Sequence, residues 1–200
     1  MPRAGLDTDR VVAAAARIAD EHGLDALSLA ALAGELGVRP PSLYAHIGGL
    51  DDLRRRVALC AVRELTAVLQ SAAAGRSNGD ALRAVARAYR AYALEHPGSY
   101  AAFQRAPAPD DAEGMEAAKR VVDVVLAVLR GYGIEGVDAY HAARAIRSAL
   151  HGFVSVEAAG GFGLPLDVDE SFERLISLLD VGLATDDFHR PAGSEHVPAG

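Results

Sequence analysis

The chain has 200 residues, half of them hydrophobic, enough to bury a core and to exclude an intrinsically disordered protein. Twenty Arg and Lys residues face 27 Asp and Glu residues, a formal charge of −7, which argues against strong non-specific adhesion to nucleic acid; a specific site depends on where the charges lie. No apolar run reaches the roughly 18 residues of a membrane span and no secretory leader is visible, so a soluble, cytoplasmic protein is expected.

Ala and Leu dominate, Trp is absent, and β-branched residues do not alternate as strands require, so the expected class is all-α, with about nine helices. Val11, Ala15, Ile18 and His22 recur at helical spacing after Thr8, with Gly23 as the stop. Ser28 suits the N-cap of a two-turn second helix with Leu29, Leu32, Ala33 and Leu36 on one face, closed by Gly37. A third short helix opens at Pro40 or Pro41 and ends before Gly48-Gly49, with Leu43 and Ile47 inward. Asp51 and Asp52 favour the start of a long fourth helix, with Leu53, Val57, Cys60, Ala61, Leu65 and Val68 as its stripe to about Ala73; Cys60 is expected in the core.

After the break at 75–79, a fifth helix runs to Glu95, His96-Pro97-Gly98 stops it, and a short sixth covers 99–105. The seventh, 111–132, is apolar on more than one side, as a central element would be; the eighth spans 137–159 and the ninth 168–184, around a GGFGLP turn. Beyond Thr185 the composition is polar and aperiodic, a frayed tail. A single lysine, Lys119, against nineteen arginines reads as codon bias of a GC-rich, bacterial genome.

An amphipathic helix followed by two short ones around a glycine turn is the arrangement of a helix-turn-helix unit, whose second short helix enters the major groove. Leu43 and Ile47 pin that helix, leaving Arg39, Pro40, Pro41, Ser42, Tyr44, Ala45 and His46 facing outward. Pro41 and Ala45 suit thymine methyls, Ser42 a base edge or phosphate, Tyr44 and His46 phosphate oxygens; Ser28 and the free N–H groups beside it suit a further phosphate.

In LSLAALAGELGV, PPSLYAHI and LDDL, in that order after an amphipathic helix, the sequence resembles the TetR family of bacterial transcriptional repressors over about Thr8 to Leu59. The family commonly has an aromatic where Ile47 stands and a lysine where Leu50 stands; without that cation the contact would rest on backbone N–H groups and on Arg54 or Arg55. HPGSYAAF and ALHGFVSVEAAGGFGLP resemble, less specifically, the C-terminal domain of one subgroup. The resemblance implies a DNA-binding domain at 1–49, a helical ligand-binding and dimerisation domain at 50–185 and a flexible tail at 186–200. It also implies operator DNA and a small-molecule inducer as partners, and a homodimer through the eighth and ninth helices. A two-fold pair would read a near-palindrome.

On the eighth helix His141, Arg144, Ser148, His151 and Ser155 form a polar stripe opposite Ile146, Leu150 and Phe153, which solvent, a dimer partner or a ligand would meet, and Gly152 would let another helix approach closely. A ligand would meet Arg144, Ser148 or His151, with Tyr89, Tyr92, Tyr100 and Phe103 as aromatic walls. The seven histidines form no i, i+4 pair and no phosphate-binding glycine loop follows a strand, so no metal, cofactor or enzymatic activity is expected. The competing reading, favoured by Leu50 and the acidic first helix, is a helical interaction or small-molecule-carrier module that no longer binds DNA.

Overall fold

The structure, a computed structural model, describes residues 6–185, so the expected tail lies outside the described residues. Every regular element among these residues is helical: eight α-helices and two 3-10 helices. In chain order the α-helices are α1 Thr8–His22, α2 Leu29–Leu36, α3 Leu50–Ala73, α4 Asn78–Glu95, α5 Pro97–Ala102, α6 Ala112–Gly131, α7 Gly136–Ala158 and α8 Val168–Leu183. Together with the 3-10 helix Pro40–Ala45 they account for the nine expected helices; the single 3-10 turn Leu24–Ala26 was not foreseen. No helix among the described residues is long and apolar enough to cross a membrane.

Contacts group the chain into two compact units, residues 6–69 with 88–121 and residues 70–87 with 122–185. The first is built on α1. Asp7 caps it, accepting the Arg10 N–H at 2.8 Å, and Val11, Ala14, Ala15 and Ile18 turn inward. They meet Leu27, Leu32, Ala33, Leu43, Ile47, Leu53 and Val57 in one core. His22, placed by spacing on the apolar face, is exposed in the last turn before Gly23, where its ring nitrogen lies 3.8 Å from Glu21. Cys60 is half-buried at the edge of the core, and burial together with the neighbouring Glu64 carboxylate raises its thiol pKa.

α5 belongs to this unit and is seated on the end of α1. Pro97 occupies its first turn, where a missing N–H costs nothing. Gly98 presses against the α1 backbone: a Cβ there would lie 2.0 Å from the Ala19 carbonyl oxygen. Asp20 locks the joint, its carboxylate accepting the Ser99 N–H at 2.6 Å and the Ser99 hydroxyl at 3.0 Å, with His96 Nδ1 at 3.4 Å. Proline thus starts the element immediately after the stop, and α5 ends at Ala102, three residues earlier than the spacing predicts.

In the second unit, α7 and α8 pack through Ala142, Ile146, Leu150, Val154, Phe172, Ile176 and Leu183, with Phe153 between the rings of Phe162 (4.8 Å) and Phe172 (5.0 Å). Asp167 caps α8 through the Asp169 and Glu170 N–H groups. Tyr132 donates to Asp180 at 2.6 Å, and Glu173 receives Arg87 at 2.6 Å. The apolar breadth expected of the seventh helix is present in α6: Val124, Val128 and Leu129 are buried, and Val121, Val122, Val125 and Leu126 are half-buried.

Candidate nucleic-acid interface

The interface begins at Ser28, whose extended backbone stands outside α2 and whose hydroxyl oxygen accepts the Ala31 N–H at 3.1 Å. One of the orphan donors at the start of α2 is thereby satisfied, and the others point away from the helix along its positive dipole end. At the other end Gly37 adopts a left-handed conformation (φ 66°), which lets Val38 N–H return to Ala33 O at 3.0 Å and reverses the chain within three residues. Val38 and Leu36 lean on the core. The turn is therefore held by packing as well as by hydrogen bonds.

Arg39 is extended (φ −85°, ψ 145°), as a residue before proline must be. Pro40 and Pro41 contribute no N–H, and the first available donor, Ser42, reaches back three residues to Arg39 O at 2.9 Å. At the far end His46 N–H bonds Leu43 O at 2.9 Å, again three residues back. Here the geometry departs from the expected one: over only six residues these three-residue bonds close the segment as a 3-10 helix rather than an α-helix. Leu43 and Ile47 are its buried anchors, each contributing on the order of 2 kcal/mol by leaving water.

The opposite side is open. Arg39, Pro40, Pro41, Ser42, Tyr44 and Ala45 are exposed, Tyr44 to 60%, while His46 is half-buried. α3 then starts at Leu50, which is partly buried against the core, and Asp52 reaches back from its first turn to accept the Gly48 N–H at 2.8 Å. That bond and Arg56 hold the Asp52 carboxyl below the usual carboxylate range. Arg54 is half-buried, and its Nε has no hydrogen-bond partner among the described residues.

The structure thus brings Ser28, Arg39 to His46 and Arg54 into one unit. The residues suggested for ligand contact fall into two groups. In the first unit Tyr89 and Tyr100 meet edge to face with their hydroxyls 2.8 Å apart, and Phe103 continues the series against Tyr100. Tyr92 is buried, with its one hydroxyl hydrogen shared between Ala61 O at 3.1 Å and Glu64 at 3.3 Å, and burial drives its pKa far up. In the second unit, Arg144 and Ser148 are exposed on α7 and His151 is half-buried. Sequence reasoning missed the Asp20–Ser99 joint, because nothing local marks a bond between residues 79 positions apart.

A core-pinned short helix behind a glycine turn, with its outer side open, defines a helix-turn-helix regulator. Residues 11–57 match the family described as bacterial regulatory proteins, tetR family, and residues 82–179 match the tetracyclin repressor-like C-terminal domain. The chain is 40% identical over 181 residues to the HTH-type transcriptional regulator Rv0681 of Mycobacterium tuberculosis, covering 90% of this chain and 83% of that protein. It is 37% identical to the HTH-type regulator YobS of Bacillus subtilis, with 91% and 95% covered. The chain belongs to the TetR family of transcriptional regulators.

Solved structures share its fold. The TetR regulator SCO7222 of Streptomyces coelicolor aligns with a TM-score of 0.72 at 23% identity, over 93% of this chain and 100% of that one. ActR of Streptomyces coelicolor in complex with (S)-DNPA aligns with a TM-score of 0.64 at 24% identity, over 90% and 98%.

Proposed function

We propose that the protein is a homodimeric, ligand-responsive repressor that holds a near-palindromic operator with two copies of the segment Ser28 to Arg54. The observation that carries the reading is the two-sidedness of Pro40–Ala45: Leu43 is fully buried, while Pro41, Ser42, Tyr44 and Ala45 project from a rigid base. Pro41 and Ala45 suit thymine methyls, Ser42 and Arg39 base edges or phosphate, and Tyr44, His46, Arg54 and the start of α2 the phosphate backbone. One such segment reads only a few base pairs, so a two-fold pair is needed for a specific site.

The second copy is accommodated by α7 and α8. On α8, Leu178 and Val181, three residues apart, are 73% and 66% exposed. On α7, Ala145, Ser148, Gly152 and Val156 make a small-residue face, and among the described residues nothing beyond the local α7 backbone comes within 4 Å of a Cβ built at Gly152. The close approach for which Gly152 is suited is therefore open to another molecule.

The ligand reading rests on the match of residues 82–179 to the C-terminal domain of repressors and on a protein of this fold, ActR, that carries (S)-DNPA. Tyr89, Tyr100 and Phe103 are the aromatic candidates of the first unit, and Arg144, Ser148 and His151 are separate candidates on α7. An inducer acts only if it favours the non-binding conformation, by a few kcal/mol for a useful switch. Fluorescence anisotropy with the DNA flanking the gene, against a scrambled duplex at two salt concentrations, tests the reading. Preferential, salt-sensitive binding by two protomers per site is expected, lost in Arg39→Glu with the dimer intact. Equal affinity of Arg39→Glu would remove the assigned segment from the interface, and the absence of binding to any duplex would leave a helical interaction module.

A further inference from the structure

As a sequence, Arg54-Arg55-Arg56 looks like a single basic patch at the start of α3. In the structure the run is divided. Arg55 is clamped by Asp111, with Nε at 2.9 Å from one carboxylate oxygen and Nη2 on the other, and Nη2 also lies 3.0 Å from Glu113. Arg56 donates from Nε to Asp52 at 2.8 Å. Nearby cations are committed in the same way: Arg63 to Glu113 at 2.7 Å and Arg17 to Glu35 at 3.4 Å. Two arginines of the candidate interface, Arg39 and Arg54, have no carboxylate partner among the described residues.

Helical side chains lean toward the N-terminus of their helix, so Arg54 is carried back over the first turn of α3. Leu50 shares its face one turn earlier and brings no charge there. Arg54 is half-buried, and among the described residues its Nε meets no acceptor and no carboxylate is paired with it, so its guanidinium is uncommitted and a phosphate would cost it no existing ion pair. The clamps on Arg55 and Arg56 have the reverse consequence. Each already has a carboxylate at hydrogen-bond distance, so turning to a phosphate would exchange one anion for another and release little.

Resting on the DNA-binding reading above, we propose that Arg39 and Arg54 are the phosphate-neutralising arginines of each protomer, Arg55 and Arg56 being structural, so that the operator is held largely by neutral donors. The affinity should then depend on salt about half as steeply as it would with all four arginines on phosphate. With two cations per half-site, four per dimer, log K should fall against log[salt] with a slope of about −3.6; enlisting Arg55 and Arg56 as well would double it. Low background binding to arbitrary DNA follows from the same economy, in keeping with a chain of net charge −7.

The test uses a duplex selected by the full-length protein from a random-sequence library, with affinity measured across a salt series. Arg54→Gln is expected to weaken binding and make the dimer's slope shallower by about 1.8, Arg54→Lys to keep the slope, and Arg55→Gln to lower the melting temperature while leaving the slope in place. A slope unchanged in Arg54→Gln, or reduced equally in Arg55→Gln, overturns the proposal. A wild-type slope near twice the expected value overturns it while leaving DNA binding intact, whereas failure to recover any duplex removes the DNA-binding reading and this one with it. Retention of the slope by Arg54→Lys separates a charge contact from a fault in folding.

Discussion

The segment around α1 and the α7–α8 pair differ in how far each is complete within one chain. Around α1 the aliphatic side chains of the core are turned in, and several polar ones are tied off: Asp20 to Ser99, Arg55 to Asp111, Arg56 to Asp52. On α7 and α8 the inner side is equally well filled by Ile146, Leu150, Phe172 and Ile176, yet Val137, Tyr140, Leu178 and Val181 are left in water. Single exposed apolar residues are ordinary, but two three residues apart on one helix make a stripe. The first region closes its core with its own residues; the second carries the face on which the proposed second copy would sit.

Breaking that face should have the largest effect. Leu178→Asp with Val181→Asp is expected to leave a folded monomer by sedimentation equilibrium and to cut operator affinity roughly 10²-fold or more, because the second half-site is no longer tethered to the first. A variant that stays dimeric would move the interface away from α8.

Two glycines sharpen the contrast. Gly98→Ala forces a Cβ to 2.0 Å from the Ala19 carbonyl oxygen, and no rotamer relieves a clash with backbone; a loss of about 1–3 kcal/mol in urea denaturation is expected. Gly152→Ala meets no neighbouring element among the described residues and should stabilise the α8-disrupted monomer by about 0.5–1 kcal/mol through helix propensity, while weakening the proposed dimer. Equal behaviour of the two variants would erase the distinction between the regions.

What the sequence discloses and what it hides follow the range of the interactions. Ser28 as a cap, Gly37 as a stop, and Leu43 and Ile47 as anchors are legible because each depends on neighbours a few residues away. The 3-10 winding of Pro40–Ala45 lay one step beyond that reading: paired prolines mark a helix start without fixing whether the few bonds that follow close over three residues or four. The division of the arginine run was not legible, since the carboxylates that clamp Arg55 come from 56 and 58 residues further on. Which exposed side chains meet DNA is decided by the partner's shape as well as by the chain's packing. The packing that buries Leu43 therefore leaves the DNA contacts of Arg39 to His46 to be decided by the duplex.

The region around α1 should also give way at acid pH through groups that can be named. Asp52 is held below the usual carboxylate range by the Gly48 N–H and then by Arg56, Asp111 by Arg55 and the Gly114 N–H, and Glu113 by Arg55 and Arg63. A carboxyl whose folded pKa lies below its unfolded value contributes stability above the unfolded value, about 4 for these residue types, and loses it as the pH falls through the folded one. Urea denaturation should therefore show a constant contribution from these groups between about pH 5 and 7 and a decline below about pH 4. The amplitude should be the smallest of the effects described, because the pairs are partly solvated and screened. Asp111→Asn should flatten the acid limb, since it removes the carboxyl that clamps Arg55 and caps the start of α6 through Gly114. An acid limb as steep in Asp111→Asn as in the wild type would assign acid sensitivity to other carboxyls and leave the Arg55 clamp as a geometric restraint on α3 with no measurable linkage to protons.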